Sequence, residues 1–531
     1  MLKISAVLFL TSISCLTFGQ EELVDTLQGN NIGATITNTG AFFHNPDGND
    51  PGFESPKDSG NHLMYASSFW FGAKDELGNL KMAADAFGGE YRDTYPGALK
   101  SDGSADAPVE PFADEIYLVS KDDIEYHVAN IVEPGYVIPH GILEWPAHGD
   151  VSLGLDYQLA PFADLNGNGL YEPEIGEYPE IRGDHAAYMI MNDKAGPHLA
   201  SEGDPLGIEI HYMFYQYNGD DDVSNTVFIN ARIINRSSVN YPEFIMSTYM
   251  DSNIGYSGNS DDYIGCNPEG NYIFGYNADN LDEPGGGITG YGENPPAVAF
   301  MLLNHEMTVA GYYDNGVGTH GTPYYAYQFW NYQHALWANG DPFEFGGYGH
   351  STDAAIPTNF IFPSDPTDDG GGADTWSEVS AENWAGSRRG HMSAAATSFA
   401  AGEVLCYDYA VMASSRDGNH LENASSLADQ ASIIQAFYES QPDTYCDFTL
   451  SNPEPQKELE IDVYPNPSTG AFFIQAEGEY TAAIYTVDGR KVYESALLSG
   501  TSTIQADLAP GSYILILNQN GALHPTKIII E

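Results

Sequence analysis

Glycine and proline interrupt this chain throughout its length. The sequence contains 56 glycines and 31 prolines in 531 residues. Glycine readily adopts turn conformations, and proline lacks the N–H group that a helix or a sheet ladder needs. Short strand-like runs lie between these residues, for example residues 62–74 and 124–132. The pattern is typical of an all-β protein with large connecting loops.

Two elements of the body can be predicted in more detail. Apolar residues recur at every second position from Ile208 to Phe214, and residues 226–235 return as a second strand after an acidic turn, which predicts a hairpin. A helix is predicted from about Ser426 to Ser440. Ser426 and Asp429 have the spacing of a capping box, and apolar residues follow at helical intervals.

The net charge restricts the classes of partner. The chain has 75 acidic and 18 basic residues, a formal charge of −57. Such a charge repels nucleic acids and anionic membrane surfaces, so neither is expected as a partner. Disorder is not expected either, because 42% of the residues are hydrophobic and 13% are aromatic. The acidic groups are therefore expected to be solvated, to bind cations, or both.

The first residues have the pattern of a signal peptide. Lys3 provides a basic start, residues 4–16 are apolar, and small residues precede Gln20. We predict cleavage after Gly19. The apolar run is too short to span a membrane, which takes about 20 residues, and no other stretch is long and apolar enough to do so.

The end of the chain carries four short motifs. In order, they are Tyr464-Pro465-Asn466-Pro467, Asp488-Gly489-Arg490, Pro510-Gly511-Ser512-Tyr513 and Lys527-Ile528-Ile529-Ile530. The prolines favour a turn before the first strand, and the Asp-Gly pair favours a hairpin. The β-rich runs between the motifs are residues 471–476, 480–486, 491–494, 502–506, 512–518 and 525–530. Short strands at this spacing predict a small antiparallel sandwich.

The four motifs together resemble the type A C-terminal sorting domain of the type IX secretion system. The resemblance implies that this domain directs the chain through the outer membrane to the cell surface or the medium. It also implies that the secretion machinery is a partner and that the domain is removed when the protein is anchored or released. Without the resemblance, the same residues fit an ordinary terminal β-module with an adhesive role.

The body also resembles a group of exported proteins of the Bacteroidota to which no activity is assigned. The shared pieces are Phe69-Trp70-Phe71-Gly72, Tyr95-Pro96-Gly97, the loop from Asp164 to Tyr178-Pro179, residues 261–266, and Pro357-Thr358 leading to Phe362-Pro363. We therefore expect a mainly β protein, with a large β-sandwich-like body and a small C-terminal Ig-like β-sandwich. The predicted divisions are a signal peptide (1–19), two β-rich regions (20–205 and 206–450), a linker (451–460) and the sorting domain (461–531).

One loop of the body has the ligand spacing of a calcium site. Calcium prefers six to eight oxygen ligands, and a loop with oxygen side chains at positions one, three and five and glycine at position six supplies them. Position twelve, where an EF-hand has glutamate, is Ile175, so a glutamate at 172, 174 or 177 must complete the site. The predicted ligands are Asp164, Asn166, Asn168, the carbonyl of Leu170, Glu172 and Glu177. The alternative is a metal-free loop of Asx turns.

A second acidic cluster surrounds a glycine-rich turn. It contains Asp251, Asn253, Asp261 and Asp262. Adjacent carboxylates repel each other unless a cation neutralises them, so calcium is predicted here too. A solvated acidic loop is the alternative.

The cysteines allow one disulfide in the exported protein. Removal of Cys15 with the signal peptide leaves Cys266, Cys406 and Cys446. We favour a bond between Cys406 and Cys446, and the other two pairings stay open.

No enzyme motif stands out in the sequence. A zinc helix, a nucleophile elbow and a phosphate loop are all missing. The aromatic stretch from Tyr324 to Trp330, with Trp337, fits either a β core or a surface that stacks on sugar rings, and we favour the core. A binding or structural role, for example with an extracellular glycan, is therefore the main prediction. The alternatives are a secreted hydrolase of glycans or another polymer, which needs only two carboxylates, and a surface-layer component.

Overall fold

The computed structural model describes most of the chain. The described residues are 23–46, 48–85, 91–105, 112–113, 115–219, 222–255, 261–285, 287–368, 372, 374–416, 418–441, 462–486, 490–506, 508–519 and 522–531. The predicted signal peptide (1–19) and linker (451–460) lie outside them.

The body contains 25 strands in its described residues. In chain order they are β1 Val24–Leu27, β2 Gly33–Thr37, β3 Ala41–Phe42, β4 His44–Asn45, β5 Asp50–Pro51, β6 Phe53–Glu54, β7 His62–Lys74, β8 Leu80–Ala84, β9 Tyr95–Pro96, β10 Tyr117–Ser120, β11 Phe162–Ala163, β12 Tyr178–Pro179, β13 His185–Asn192, β14 Ile208–Gln216, β15 Thr226–Asn235, β16 Tyr241–Ser252, β17 Asp262–Asn267, β18 Tyr272–Asn277, β19 Leu281–Asp282, β20 Gly292–Glu293, β21 Ala297–Leu302, β22 Met307–Asp314, β23 Arg388–Ala394, β24 Thr397–Phe399 and β25 Val404–Ser414.

Two large antiparallel sheets form the body. The first has the order β1-β2-β6-β7-β16-β23-β22, with β3 and β8 on β7 and β24 on β16. The second has the order β10-β13-β14-β15-β25-β21-β18-β17, with β9 on β13. Phe69 of the first sheet stacks on Tyr212 of the second, with ring centroids 5.7 Å apart, inside a shared apolar core. The predicted β-sandwich class is confirmed, and both sheets join residues from either side of the predicted division at residue 205.

Strand β14 of the second sheet is buried on both faces. The predicted hairpin is present as β14 and β15, with Ile208 opposite Asn235. Every residue of β14 is buried, including the polar Glu209 and His211 of the alternate face. One face packs in the core between the sheets, and the other packs in a second apolar cluster that contains Leu427 and Ile434. The alternating side chains of β14 therefore point into two different buried clusters, one on each face of the sheet.

The helices differ from the sequence prediction in position. They are α1 Lys121–Asn130, α2 His140–Leu143, α3 Ala326–Tyr332 and α4 His420–Ser440, with 3₁₀ turns at Val151–Leu153, Pro173–Ile175 and Asp222–Asn225. The predicted start of α4 at Ser426 is wrong, because Asn419 and Glu422 form the capping box. Residues 124–132, which the sequence suggested as a strand, lie mostly in helix α1. The hydroxyl of Ser120 favours this helix, because it caps the first turn by accepting a hydrogen bond from the amide of Asp123 at 3.0 Å.

The C-terminal domain is a small antiparallel β structure. Its strands are β26 Asp462–Tyr464, β27 Ala471–Thr486, β28 Lys491–Glu494, β29 Leu498–Gln505, β30 Gly511–Gln519 and β31 Ala522–Ile530. The predicted runs 471–476 and 480–486 are one continuous strand, β27, whose register shifts between Ala476 and Glu479. Residues 488 and 489 lie outside the described part, but β27 and β28 on either side pair as a hairpin requires, with Ile484 opposite Tyr493.

Candidate functional site

The predicted calcium loop connects two short paired strands, β11 and β12. The carboxylate of Asp164 accepts from the amides of Gly167 at 2.7 Å, Asn168 at 3.2 Å and Gly169 at 2.7 Å. Gly167 and Gly169 have φ angles of +75° and +74°, which favour glycine. The loop therefore closes around the first predicted ligand.

Five of the six predicted ligands converge within this loop. The side-chain amides of Asn166 and Asn168 donate to the same oxygen of Glu172, at 2.9 and 2.6 Å. Glu177 is buried, and its carboxylate accepts from the amides of Leu165 at 3.1 Å and Glu172 at 2.8 Å. Burial raises the pKa of Glu177. The sixth residue, Leu170, has an exposed side chain, and its amide donates to Asn168.

The hydrogen bonds of the loop satisfy its polar groups internally. The side-chain oxygens of Asn166 and Asn168 accept from backbone amides two residues ahead, at 2.9 and 2.7 Å, as in Asx turns. Asp164 and Glu172 offer the hard carboxylate oxygens that calcium prefers, whereas both amides present nitrogen to Glu172. Calcium would therefore require both amides to turn. Within the described part of the chain, no three His, Cys, Asp or Glu side chains are grouped as metal ligands.

The second predicted cluster is divided between two environments. Asp251 is buried and accepts from Arg389 at 3.2 Å and from the hydroxyl of Tyr249 at 3.3 Å, and Asn253 donates to it at 3.2 Å. Burial raises the pKa of Asp251 to about 6, although the charge of Arg389 opposes this. Asp251 therefore neutralises an arginine in this structure.

Asp261 and Asp262 lie beside a residue that the sequence did not indicate. Asp262 is buried, and its Oδ1 atom has no hydrogen-bond partner, while Oδ2 accepts weakly from Ile254 at 3.4 Å. Burial, and then the charges of Asp261 and Asp282, raise the pKa of Asp262. Asp282 is about 20 residues away in sequence, and only the tertiary fold brings it near.

The aromatic stretch divides into a buried and an exposed part. Phe329 and Trp330 of α3 are buried, as is Trp337, which confirms the predicted core role for these rings. The other rings, those of Tyr324, Tyr325 and Tyr327, have exposed fractions of 48%, 46% and 54%. We call these three residues the tyrosine platform.

Two rings of the tyrosine platform are nearly parallel. The rings of Tyr325 and Tyr327 lie 5.9 Å apart with an interplanar angle of 6°. The side-chain oxygen of Gln328 accepts from the amides of Tyr324 at 2.8 Å and Tyr325 at 3.1 Å, which holds this segment at the start of α3.

Several ionisable groups with shifted pKa are buried and internally paired. Burial raises the pKa of Glu378, and this carboxylate contacts the guanidinium of Arg388 at 3.1 Å. Burial also raises the pKa of Asp85, which accepts from the hydroxyl of Thr94 at 2.6 Å. Both carboxylates are therefore partnered inside the fold.

The cysteines have distinct states. Cys406 is disulfide-bonded, and Cys266 is a free, buried thiol. Both pairings of Cys266 that the sequence left open are therefore wrong. Cys446, the favoured partner of Cys406, lies outside the described residues.

The first C-terminal motif contacts the last. The rings of Tyr464 and Phe473 stack 5.6 Å apart across β26 and β27. The side chain of Asn466 donates to the carbonyl of Lys527 and accepts from the amide of Ile529, both at 2.8 Å. The two motifs therefore form one structural unit.

The other C-terminal motifs shape turns and strand ends. Gly511 begins β30, and the Tyr513 hydroxyl donates to the carbonyl of Ala509 at 2.8 Å. The amide of Arg490 donates to the hydroxyl of Thr486 at 3.2 Å, next to the predicted Asp-Gly turn. Gly489 lies outside the described residues.

Comparison with known proteins is informative for the end of the chain. Residues 462–531 match the family model described as the secretion system C-terminal sorting domain. Among curated proteins, none matches the chain. A search for membrane-crossing helices within the described residues found none of sufficient length and apolarity.

The similar solved structures are remote. A polysaccharide lyase is 8% identical with a TM-score of 0.19, over 67% of this chain and 37% of the lyase, so the chain spans little more than a third of it. A candidate aldose 1-epimerase from Escherichia coli K12 is 9% identical with a TM-score of 0.24, over 75% of this chain and 100% of that one. The BSP domain of a biofilm-associated protein is 8% identical with a TM-score of 0.16, over 96% and 81%. Scores this low carry no argument about fold or activity. The conclusion about identity therefore comes from the C-terminal match: this chain carries a C-terminal sorting domain and is a substrate of the type IX secretion system, exported to the cell surface or the medium.

Proposed function

We propose that the exported body is a calcium-stabilised protein that binds an extracellular glycan. The observation that carries the proposal is the tyrosine platform, three neighbouring tyrosines about half exposed at the start of α3. Flat aromatic rings with a polar tip stack on the apolar faces of sugars and hydrogen-bond to their hydroxyls.

The surroundings of the platform favour a binding role. The same short segment anchors itself through Phe329, Trp330 and Tyr332, which are buried in the core of the body. The exposed rings are therefore presented from a fixed base, and a tyrosine loses little conformational entropy when a ligand orders it. Lys74 lies beside this base, with its ammonium 4.5 Å from the ring of Trp330.

Calcium in this proposal is a structural ion of the loop 164–177. Asp164, Glu172 and Glu177 bring three carboxylates into one short loop. A divalent cation would relieve their mutual repulsion and supply folding energy, because the unfolded chain offers no preformed site. The ion would fix the loop between β11 and β12 and would take no part in a reaction.

A glycan screen with purified mature protein tests the proposal. The double variant Tyr325→Ala/Tyr327→Ala should weaken binding at least about tenfold, because aromatic anchors commonly carry the largest share of interface energy. Tyr126→Ala is the matched control, since Tyr126 is 60% exposed on α1, outside the platform. Equal binding by the double variant and the wild type, or no binding to any glycan, would contradict the proposal.

The same screen separates binding from hydrolysis. If new reducing ends appear when the protein is incubated with a bound glycan, the alternative role as a secreted hydrolase replaces the binding role. A binding protein leaves the glycan intact.

A further inference from the structure

Two buried carboxylates contact one short backbone segment of the body. The segment is residues 254–255, which follow strand β16. The amide of Ile254 lies 3.4 Å from Oδ2 of Asp262, the first residue of β17. A side chain at Gly255 would collide with the carboxylate of Asp282, so this carboxylate packs directly against the backbone there. Asp262 and Asp282 have exposed fractions of 2% and 0%. The fold therefore holds both carboxylates at neighbouring residues, away from solvent.

The charges around Asp262 disfavour a second negative charge. Burial raises the pKa of Asp262, and the carboxylates of Asp261 and Asp282 raise it further. The next acidic residue, Asp251, is paired with Arg389 at 3.2 Å, so this guanidinium already has a carboxylate partner. Buried carboxylates that lie close together are unfavourable unless a proton or a cation neutralises them.

Three buried polar atoms at this place have no hydrogen-bond partner. They are Oδ1 of Asp262, Nδ2 of Asn277 and Oγ of Ser252. Asn277 lies directly opposite Asp262 in the ladder of β17 and β18, so the two side chains share one face of the sheet. Ser252 packs against the same face, because a side chain at Gly275, two residues before Asn277, would collide with its hydroxyl. Buried polar groups are almost always satisfied by protein, water or an ion, so these atoms indicate a polar ligand here.

We propose that Asp262 and Asp282 bind a calcium ion, with the hydroxyl of Ser252 as a neutral ligand. We call these three residues the second calcium site. One divalent cation balances two buried carboxylates, and their hard oxygens are the ligands that calcium prefers. Carbonyl and water oxygens complete the shell of such an ion, and Nδ2 of Asn277 can donate to a bound water. The second calcium site is separate from the loop 164–177 and from the tyrosine platform, and it does not require glycan binding.

The second calcium site differs from the cluster that the sequence predicted. Asp251 is paired with Arg389, and the amide of Asn253 donates to Asp251 at 3.2 Å, so both predicted ligands have other partners. Asp282 takes their place. The site has two carboxylates, against three in the loop 164–177, and the charge of the ligands tunes calcium affinity. We therefore expect the second site to fill only at about millimolar calcium, above the concentrations that fill the loop.

Equilibrium dialysis of the mature protein against calcium chloride tests the proposal. Potassium chloride at about 0.5 M screens the diffuse attraction of the acidic surface for calcium. All variants carry Glu172→Gln, which removes the ion of the loop 164–177. At about 10 mM calcium this background should bind one ion per chain. Asp282→Asn should weaken that binding at least about tenfold, because it removes one of two charged ligands. Glu269→Gln makes the matched change at the exposed opposite end of the β17–β18 hairpin and should retain the ion.

Thermal unfolding of a second variant provides a check that does not depend on Asp282. Asp262→Asn keeps the shape of the side chain and removes its charge. In chelator it should unfold at the same temperature as the background or at a higher one, because a buried carboxylate without a cation is lost. In about 10 mM calcium the order should reverse, because only the background gains stability from the ion.

Two outcomes would overturn the proposal. The first is equal calcium binding by the background with and without Asp282→Asn. The second is a background that binds no calcium at all, which would show that a proton neutralises Asp262. A different result would count against the ion of the loop 164–177 instead, namely that the wild type binds no more calcium than the Glu172→Gln background.

Discussion

Asn466 and Ile529 are joined by a hydrogen bond of 2.8 Å, in which the side-chain oxygen of Asn466 accepts from the backbone amide of Ile529. The nitrogen of the same side chain donates to the carbonyl of Lys527, also at 2.8 Å. Prolines on both sides of Asn466 have no amide to offer β31, so its side chain imitates the missing backbone partner. Ser468 then continues the pairing, with its amide donating to Ile529 at 2.9 Å.

Loss of this side chain should loosen the last strand of the chain. In Asn466→Ala both hydrogen bonds are lost, which costs roughly 1 kcal/mol for each bond. Amide hydrogen exchange at Ile529 should then become about tenfold faster or more. Thr503→Ala, at an exposed position of β29, is the control and should leave this exchange unchanged. Unchanged exchange in Asn466→Ala would show that Asn466 does not hold β31.

Calcium should raise the thermal midpoint of the mature protein through Glu172. At a calcium concentration 100 times the Kd, a single site contributes about 2.7 kcal/mol. Glu172→Gln removes the carboxylate that both asparagine amides contact and should abolish the shift. Glu174→Gln, an exposed neighbour, should keep it. A wild-type midpoint that is equal in calcium and in chelator would exclude the proposed ion.

His198 should make the body more stable in mild acid than in mild base. Its ring nitrogens face the carbonyls of Met82 and Asp193, both at 2.6 Å, and carbonyls only accept, so both nitrogens must be protonated. Burial lowers the pKa of His198, but the charges of Asp193 and Asp93 and the two hydrogen bonds raise it further, and the net pKa lies above the ordinary value of 6.5.

The sign of this pH dependence follows from the raised pKa. The contribution of His198 is complete below the pKa of the unfolded state, about 6.5, and is lost as the pH rises through the folded pKa. His198→Gln should cost about 3 kcal/mol below pH 6 and less at higher pH. Urea unfolding of both proteins across this range measures the difference. A difference that grows with rising pH would contradict a cationic His198.

Cys266 should resist thiol reagents until the protein unfolds. It is 2% exposed, and burial raises the pKa of its thiol, so the reactive thiolate is scarce. We expect a thiol reagent to label no cysteine of the native mature protein and to label Cys266 alone after denaturation. Denaturation with a reductant should expose three thiols, because it also opens the disulfide. Labelling in the native state would contradict the buried position of Cys266.

Patterns that depend on neighbouring residues could be predicted from the sequence. The hairpin of β14 and β15 and most strands of the sorting domain follow from alternation and turn residues. The start of α4 could not be placed, because Asn419 and Ser426 both fit a helix cap and the packing of the helix on β18, β21 and β25 selects between them. The aromatic stretch could not be divided either, since α3 buries Trp330 and leaves Tyr327 exposed.

The sequence alone determined the destination and the class of fold. The sorting motifs and the strand periodicity are short-range features, so they can be recognised without knowing which distant residues meet in the folded chain. The tertiary structure decided which polar groups meet. Asp251 contacts Arg389 across 138 residues of sequence, and Asn466 accepts a hydrogen bond from the amide of Ile529 across 63 residues. Strand register is fixed by the packing of whole sheets, and a shift of one residue would place every side chain of a strand on the opposite face.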